Sequence, residues 1–102
     1  MKTELIRALE SVRQLNPDMT VLQLLVLLYI ADNPGCKALK VREAIGIPSS
    51  TTSRILATLS DVGRNDLNGM GLISMEIDSK DRRHRELFLT QLGQRLVKRI
   101  AE

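Results

Sequence analysis

The feature that most constrains this fold is a helix-length segment that is apolar on almost every side. Between Val21 and Ile30 only Gln23 is polar. A helix with no polar face is stable only when other elements cover it, so it lies inside a core. The sequence therefore predicts a central helix over about residues 19–32, with the remainder of the chain packed around it.

Amphipathic spacing predicts four further helices, in which apolar side chains recur three or four positions apart. They span about residues 2–15, 37–45, 49–62 and 91–101. Capping residues agree with this division, since Asp18 or Thr20 can cap the central helix and Thr90 the last one. Gly46 separates the third helix from the fourth, and glycine adopts positive φ without a Cβ penalty, so a sharp turn is expected there.

Two short β-prone runs, 72–77 and 86–89, predict a two-stranded hairpin between the fourth and last helices. The resulting order is helix, central helix, short helix, glycine turn, helix, hairpin, helix. This order is typical of a mainly α fold with a small β-hairpin, the winged helix-turn-helix. The chain is short enough for one domain, residues 1–102, with the helix-turn-helix at 37–62 and the wing at 72–89.

The positive charge of the chain lies at its carboxyl end. The sequence has 15 Lys and Arg against 12 Asp and Glu, yet residues 79–102 carry 7 basic and 3 acidic residues, so the preceding part is net negative. Basic side chains crowd the hairpin tip, where only Asp81 separates Lys80 from Arg82, Arg83, His84 and Arg85. Such a tip is a candidate polyanion contact, because Lys and Arg near phosphates release counterions. The alternative is a solvated hairpin end.

Composition excludes several classes of function. One Phe, one Tyr and no Trp argue against a base-stacking platform for single strands. One Cys excludes an internal disulfide and a Cys-pair metal site, and one His with no phosphate-cradling glycine loop argues against an enzyme. We therefore expect no catalytic residues, metal or cofactor. Because no membrane-length apolar run or export signal is present, the expected location is the cytoplasm.

The predicted fourth helix has a small, polar outer face. Its candidate DNA-binding side chains are Ser49, Ser50, Thr51, Ser53 and Arg54. A helix enters the major groove when its outer face is small or hydrogen-bonding. Arg54 is the best candidate for a base-edge or phosphate contact; the alternative is a surface arginine paired with Asp61 or Glu43. Hydroxyl groups can also donate to phosphates or bases, although ordinary helix capping is expected to explain at least one of them.

Two parts of the chain resemble the MarR family of bacterial transcription regulators. Residues 46–56, Gly-Ile-Pro-Ser-Ser-Thr-Thr-Ser-Arg-Ile-Leu, resemble the turn and recognition helix of that family. Segments 71–73, 78–83 and 87–93 resemble its wing almost position for position. The wing match is the more specific, since Asp-Arg-Arg and Leu-Thr-x-x-Gly occur at the expected separation. The resemblance covers about residues 19–101.

The resemblance implies a homodimer that binds a pseudo-palindromic duplex site, with a recognition helix in each major groove and a wing arginine in each neighbouring minor groove. The wing Asp and the Arg two positions later act as a unit in this family, which here implies Asp81 and Arg83. The alternative is that Asp81 caps the turn and Arg83 is solvated. Lys80, Arg82 and Arg85 complete the expected wing contacts. The short chain favours a repressor, because it leaves little room for an activation surface.

The terminal helices are the expected dimer interface, although they are shorter than is usual in the family. Two apolar stripes form it: Leu5, Leu9 and Val12, with Leu92, Leu96 and Ile100. Both stripes can instead close on the core of one subunit. An isologous interface is favoured because it matches the symmetry of a palindromic site. The short helices also imply that the family's effector pocket is reduced or absent, so no small-molecule effector is indicated.

Two rival functions use the same fold. A winged-helix protein-interaction module would treat the wing as ordinary surface. A phage or plasmid replication or partition factor would bind DNA without regulating transcription. Binding to duplex DNA, with an affinity that falls as salt is added, would distinguish a regulator from the protein-interaction module. The position of the bound site relative to a promoter would distinguish a regulator from the replication or partition factor.

Overall fold

A computed structural model describes residues 2–61, 69–81 and 84–101 of the chain. The elements in chain order are α1 (Lys2–Leu15), α2 (Val21–Asp32), α3 (Ala38–Ile45), α4 (Ser49–Leu59), β1 (Ile73–Ile77), β2 (Arg85–Leu89) and α5 (Gln91–Ala101). The predicted winged-helix order is confirmed. Within these described ranges, no helix is both long and apolar enough to cross a membrane.

α2 forms the centre of the core, as its apolar sequence predicts. Val26, Leu27 and Ile30 are completely buried, and α2 packs against α3, α4, α5 and β2. Not every side of the helix is covered, since Val21 and Leu25 are exposed. The helix α1 packs against α5 and leaves this face of α2 open.

The start of α2 is fixed by a reciprocal cap. The Thr20 hydroxyl accepts a hydrogen bond from the Gln23 backbone N–H at 3.0 Å, and the Gln23 side chain accepts one from the Thr20 N–H at 2.9 Å. Of the two predicted caps, Thr20 is therefore the one used. Both donors would otherwise lack a partner at the helix end.

The turn between α3 and α4 depends on Gly46. Its φ is +79°, as predicted, and its N–H donates to the Arg42 carbonyl at 2.8 Å. This left-handed residue closes α3 and redirects the chain within two residues. α4 then presents Thr52, Ile55, Leu56 and Leu59 to the core. It ends at Leu59, earlier than predicted, because Ser60 is extended and hydrogen-bonds back to the last turn through its N–H and its hydroxyl.

The wing is attached to the helix-turn-helix by backbone hydrogen bonds. β1 and β2 are antiparallel, with Met75 opposite Leu87. The segment before α3 adds a single-residue third strand: the Leu87 N–H donates to the Cys36 carbonyl at 2.8 Å, and the Gly35 N–H donates to the Leu87 carbonyl at 2.7 Å. The middle of β2 is thus joined to the chain just before α3.

Thr90 and Gly93 join α5 to the beginning of β1. The Thr90 hydroxyl accepts from the Gly93 N–H at 3.1 Å and donates to the Gly71 carbonyl at 2.7 Å, so the predicted cap is confirmed. The Thr90 N–H also donates to the Leu72 carbonyl. Gly93 lies directly against that carbonyl, because a Cβ built on it would be 2.1 Å from the Leu72 oxygen. The contacts of Thr90 and Gly93 with the start of β1 therefore explain the Leu-Thr-x-x-Gly sequence of residues 89–93.

Candidate nucleic-acid interface

The outer face of α4 is small, polar and open. Ser49, Ser50, Ser53 and Arg54 are exposed, and Thr51 is half-buried, while the apolar residues lie on the opposite side. The expectation that capping occupies one of the hydroxyls is wrong. Pro48 is the N-cap residue, and no side chain of the described residues caps the helix. The backbone N–H groups of the first turn and the serine hydroxyls therefore remain available to an outside acceptor.

Arg54 lies on the side of α4 that faces the start of α2. It lines an open groove of about 260 Å³ with Thr20, Gln23 and Thr58. Within the described ranges Arg54 forms no ion pair. Neither alternative partner, Asp61 or Glu43, forms an ion pair with Arg54, and the Glu43 carboxylate instead lies 3.7 Å from the Lys40 ammonium. Among the described residues, no carboxylate therefore competes with an anionic ligand for the Arg54 guanidinium.

The described part of the wing tip is basic at its edges. Lys80 and Arg85 are exposed, and Asp81 is half-buried. The Asp81 carboxylate lies 3.4 Å from the His84 imidazole. The backbone N–H of His84 donates to the backbone carbonyl of Asp81. The predicted contact residues Arg82 and Arg83 lie outside the described residues. The unit of Asp81 and Arg83 therefore stays a prediction.

α4 and the wing share one surface. A groove of about 250 Å³ runs between them and the start of α3, with Lys37 on the α3 side, Ser53 on the α4 side, and His84 and Arg85 on the wing side. Leu56 and Met75 also line this groove. A ligand that covers the outer face of α4 would therefore meet the wing as well.

An ion pair that the sequence did not reveal joins α3 to the wing. The Lys37 ammonium lies 2.6 Å from the Asp78 carboxylate, and the second carboxylate oxygen accepts from the Lys80 N–H at 2.9 Å. Asp78 is only 8% exposed. The hydrogen bond from Lys37, with that from Lys80, holds the pKa of Asp78 below its ordinary value, and the same bond raises the pKa of Lys37. The two residues are far apart in sequence, so no local pattern could have paired them.

The lowered pKa of Asp78 predicts a pH-dependent contribution to stability. A carboxyl with a lower pKa in the native state stabilises the fold above its unfolded pKa of about 4, and this contribution disappears as the pH falls through the native value. We expect Asp78→Asn to unfold at lower urea concentration than the wild type at neutral pH, with a difference that shrinks in acid. Exposed Asp61→Asn is the matched control and should show little difference. If the unfolding midpoints of Asp78→Asn and the wild type differed as much at about pH 3 as at neutral pH, the lowered pKa of Asp78 would be contradicted.

The described residues show no other arrangement suited to chemistry. No three His, Cys, Asp or Glu side chains among them come together as a metal site. Burial raises the pKa of the Cys36 thiol. A reactive sensor thiol requires a lowered pKa, so the structure favours a packing role for Cys36.

The predicted dimerisation stripes are divided between core and surface. α1 packs against α5, so the first and last helices lie side by side. Val12 and Leu96 are buried in the core of the monomer, and Ile100 is half-buried. Leu5, Leu9 and Leu92 are 58%, 47% and 43% exposed. Ile6 of α1 is a further exposed apolar residue, which the predicted dimerisation set omitted.

Comparison with known proteins identifies transcription regulators. No family model matches the chain. The transcriptional regulator HosA of Escherichia coli O157:H7 is 31% identical over 81 residues, which cover 79% of this chain and 54% of HosA. The chain thus spans about half the length of this curated relative.

Solved structures share the fold. The PcaV transcriptional regulator from Streptomyces coelicolor, in complex with its natural ligand, is 27% identical with a TM-score of 0.69; the match covers 82% of this chain and 54% of PcaV. The transcriptional repressor CouR, bound to a 23-mer DNA duplex, is 25% identical with a TM-score of 0.73; the match covers 98% of this chain and 63% of CouR.

Proposed function

We propose that this chain, which has the winged-helix fold of the MarR-family transcription regulators, binds duplex DNA sequence-specifically and represses transcription. One observation carries the proposal: Ser53 of the small polar face of α4 and Arg85 of the basic wing edge line the same groove. CouR, which shares this fold, was solved on a DNA duplex. The function of this chain as a repressor rests on that similarity and on the surface together.

The surface suits a helix lying in the major groove. Small side chains at Ser50 and Ser53 let the backbone approach the bases, and their hydroxyls can donate to base edges or phosphates. The uncapped start of α4 offers backbone N–H groups to a phosphate. Lys80 and Arg85 would contact the neighbouring DNA backbone, and Arg83 would enter the minor groove.

Electrophoretic mobility of a duplex at several salt concentrations tests the proposal. Tight binding is expected at low salt, and the logarithm of affinity should fall linearly with the logarithm of salt concentration, because phosphate contacts release counterions. No binding at low salt would contradict it and would favour a protein-interaction module. A replication or partition factor would bind equally well, but its sites would lie away from promoters.

The proposal includes a two-fold dimer through the terminal helices. The terminal helices expose the apolar side chains of Leu5, Leu9 and Leu92, and a self-complementary interface would place two copies of α4 on successive turns of DNA. No catalytic step is assigned, because the relatives are transcriptional regulators. The expected location is the cytoplasm, where such regulators act.

Two charges on α1 should produce a monomer. Leu5→Asp combined with Leu9→Asp places unpaired carboxylates in the apolar face, and burying a charge without a partner is strongly unfavourable. Sedimentation velocity should show a dimer for the wild type and a monomer for the double variant. Ile77→Asp is the control, because Ile77 is equally exposed but lies on the wing. A double variant that still sediments as a dimer would place the interface elsewhere.

A further inference from the structure

The ion pair of Lys37 and Asp78 connects the two elements that form the proposed DNA surface. Lys37 is the N-cap residue of α3, and its carbonyl accepts from the N–H groups of Lys40 and Val41. α3 leads through Gly46 directly into α4. Lys37 is therefore attached firmly to the helix-turn-helix.

Asp78 is attached equally firmly to the wing. It follows the last residue of β1, and its N–H donates to the His84 carbonyl at 3.1 Å, which closes the hairpin tip. One carboxylate oxygen accepts from the Lys80 N–H, and the other receives the Lys37 ammonium. A single carboxylate thus holds both the shape of the tip and its link to α3.

The ion pair is a second attachment of the wing to the helix-turn-helix. The first lies in the middle of the hairpin, where Leu87 is buried in the core and bonded to Gly35 and Cys36. A hairpin held at its middle can still bend beyond that point. A second attachment at the tip fixes its direction, since the ion pair is short and Asp78 is nearly buried.

We propose that Lys37 and Asp78 are positioning residues that hold the wing at the angle needed to bind DNA together with α4. The proposal rests on the proposed function of DNA binding. The positioning role would make Asp78 favourable on a DNA-facing surface, although the charge of an acidic residue alone repels phosphates. Neither side chain needs to touch DNA for this role, because both act through the direction of the wing.

Asp78→Asn distinguishes positioning from charge. The variant keeps an oxygen for the Lys80 N–H but loses the ion pair. Removal of an anion near phosphates would, by charge alone, tighten DNA binding. Positioning predicts the opposite: affinity about 3- to 30-fold weaker, with protection of the flanking minor groove lost from the hydroxyl-radical footprint while protection under α4 remains.

Lys37→Met provides the second measurement. It should weaken binding to a similar degree, and the double variant should be no weaker than either single one, because both remove the same contact. Lys37→Arg should restore most of the affinity. Lys40→Met is the matched control: it removes a lysine from α3 whose exposed partner, Glu43, lies on the same helix.

The outcomes separate this inference from the proposed function. All comparisons are made where urea denaturation shows each variant to be folded; if Asp78→Asn does not fold, Lys37→Met and Lys37→Arg decide the question. If the wild type binds DNA and Asp78→Asn binds equally or more tightly, the positioning role alone is overturned. Additive losses of affinity in the double variant would also overturn it. Failure of the wild type to bind any duplex at low salt would overturn both.

Discussion

Replacing Gly93 with alanine is expected to destabilise the chain by about 3–5 kcal/mol, a size reserved for severe core disruption. The added Cβ would lie 2.1 Å from the carbonyl oxygen of Leu72, a distance that van der Waals repulsion forbids. α5 would have to move away from the start of β1, which breaks the hydrogen bonds of Thr90 to Gly71 and Leu72. Because domains are stable by only about 5–15 kcal/mol, urea denaturation should show a large loss of stability, with a clearly lower unfolding midpoint.

Gly46→Ala is the matched control, since it separates a steric clash from a backbone preference. Gly46 has a φ of +79°, but a Cβ built on it would meet nothing within 4 Å. Its replacement should cost about 1–2 kcal/mol, the penalty of a left-handed conformation for an L-residue. If Gly93→Ala proved as stable as Gly46→Ala, the close approach of α5 to Leu72 would be wrong.

Arg54→Ala should weaken DNA binding by about 1–3 kcal/mol, roughly 5- to 150-fold, whichever group of the duplex it contacts. Arg54 is exposed beside the polar face of α4 and has no ion-pair partner among the described residues, so its replacement breaks no ion pair with them. A base-edge contact predicts that base preference relaxes at one position of the site. A phosphate contact predicts uniform weakening and a salt slope lower by about one unit.

The control for Arg54 is another exposed arginine. Arg99 lies on α5 and lines a groove with Ala8 of α1 and not with residues of α4. Arg99→Ala removes the same charge and should change affinity little. Equal affinities for Arg54→Ala and the wild type would show that α4 does not face the duplex as proposed.

The order of elements could be predicted because each has a local signal. The apolar run around Val26 required a core helix, Gly46 required a turn, and Thr20 and Thr90 marked helix starts. These signals depend on periodicity and capping, which act over a few residues. The face of α2 that carries Val21 and Leu25 was less predictable, because the sequence does not show that α1 packs on α5.

The site was predictable in its residue types and less so in its connections. The serines of α4 were predicted from their spacing. That α4 begins after Pro48, with no side chain of the described residues capping it, could be seen only in the structure. The pairing of Lys37 with Asp78 joins distant segments and leaves no local pattern. Leu9 and Leu96 looked equivalent in their stripes, and only packing separates the exposed residue from the buried one.

Selection of bound duplexes from a random pool tests the central claim most directly, since symmetry and specificity are measured together. A dimer with one α4 in each major groove predicts enrichment of an inverted repeat whose half-site centres lie about 10 base pairs apart, one helical turn. Substitutions in either half-site should then weaken binding equally. A pool that remains random after several rounds, although duplexes are retained at low salt, would contradict sequence-specific recognition by α4.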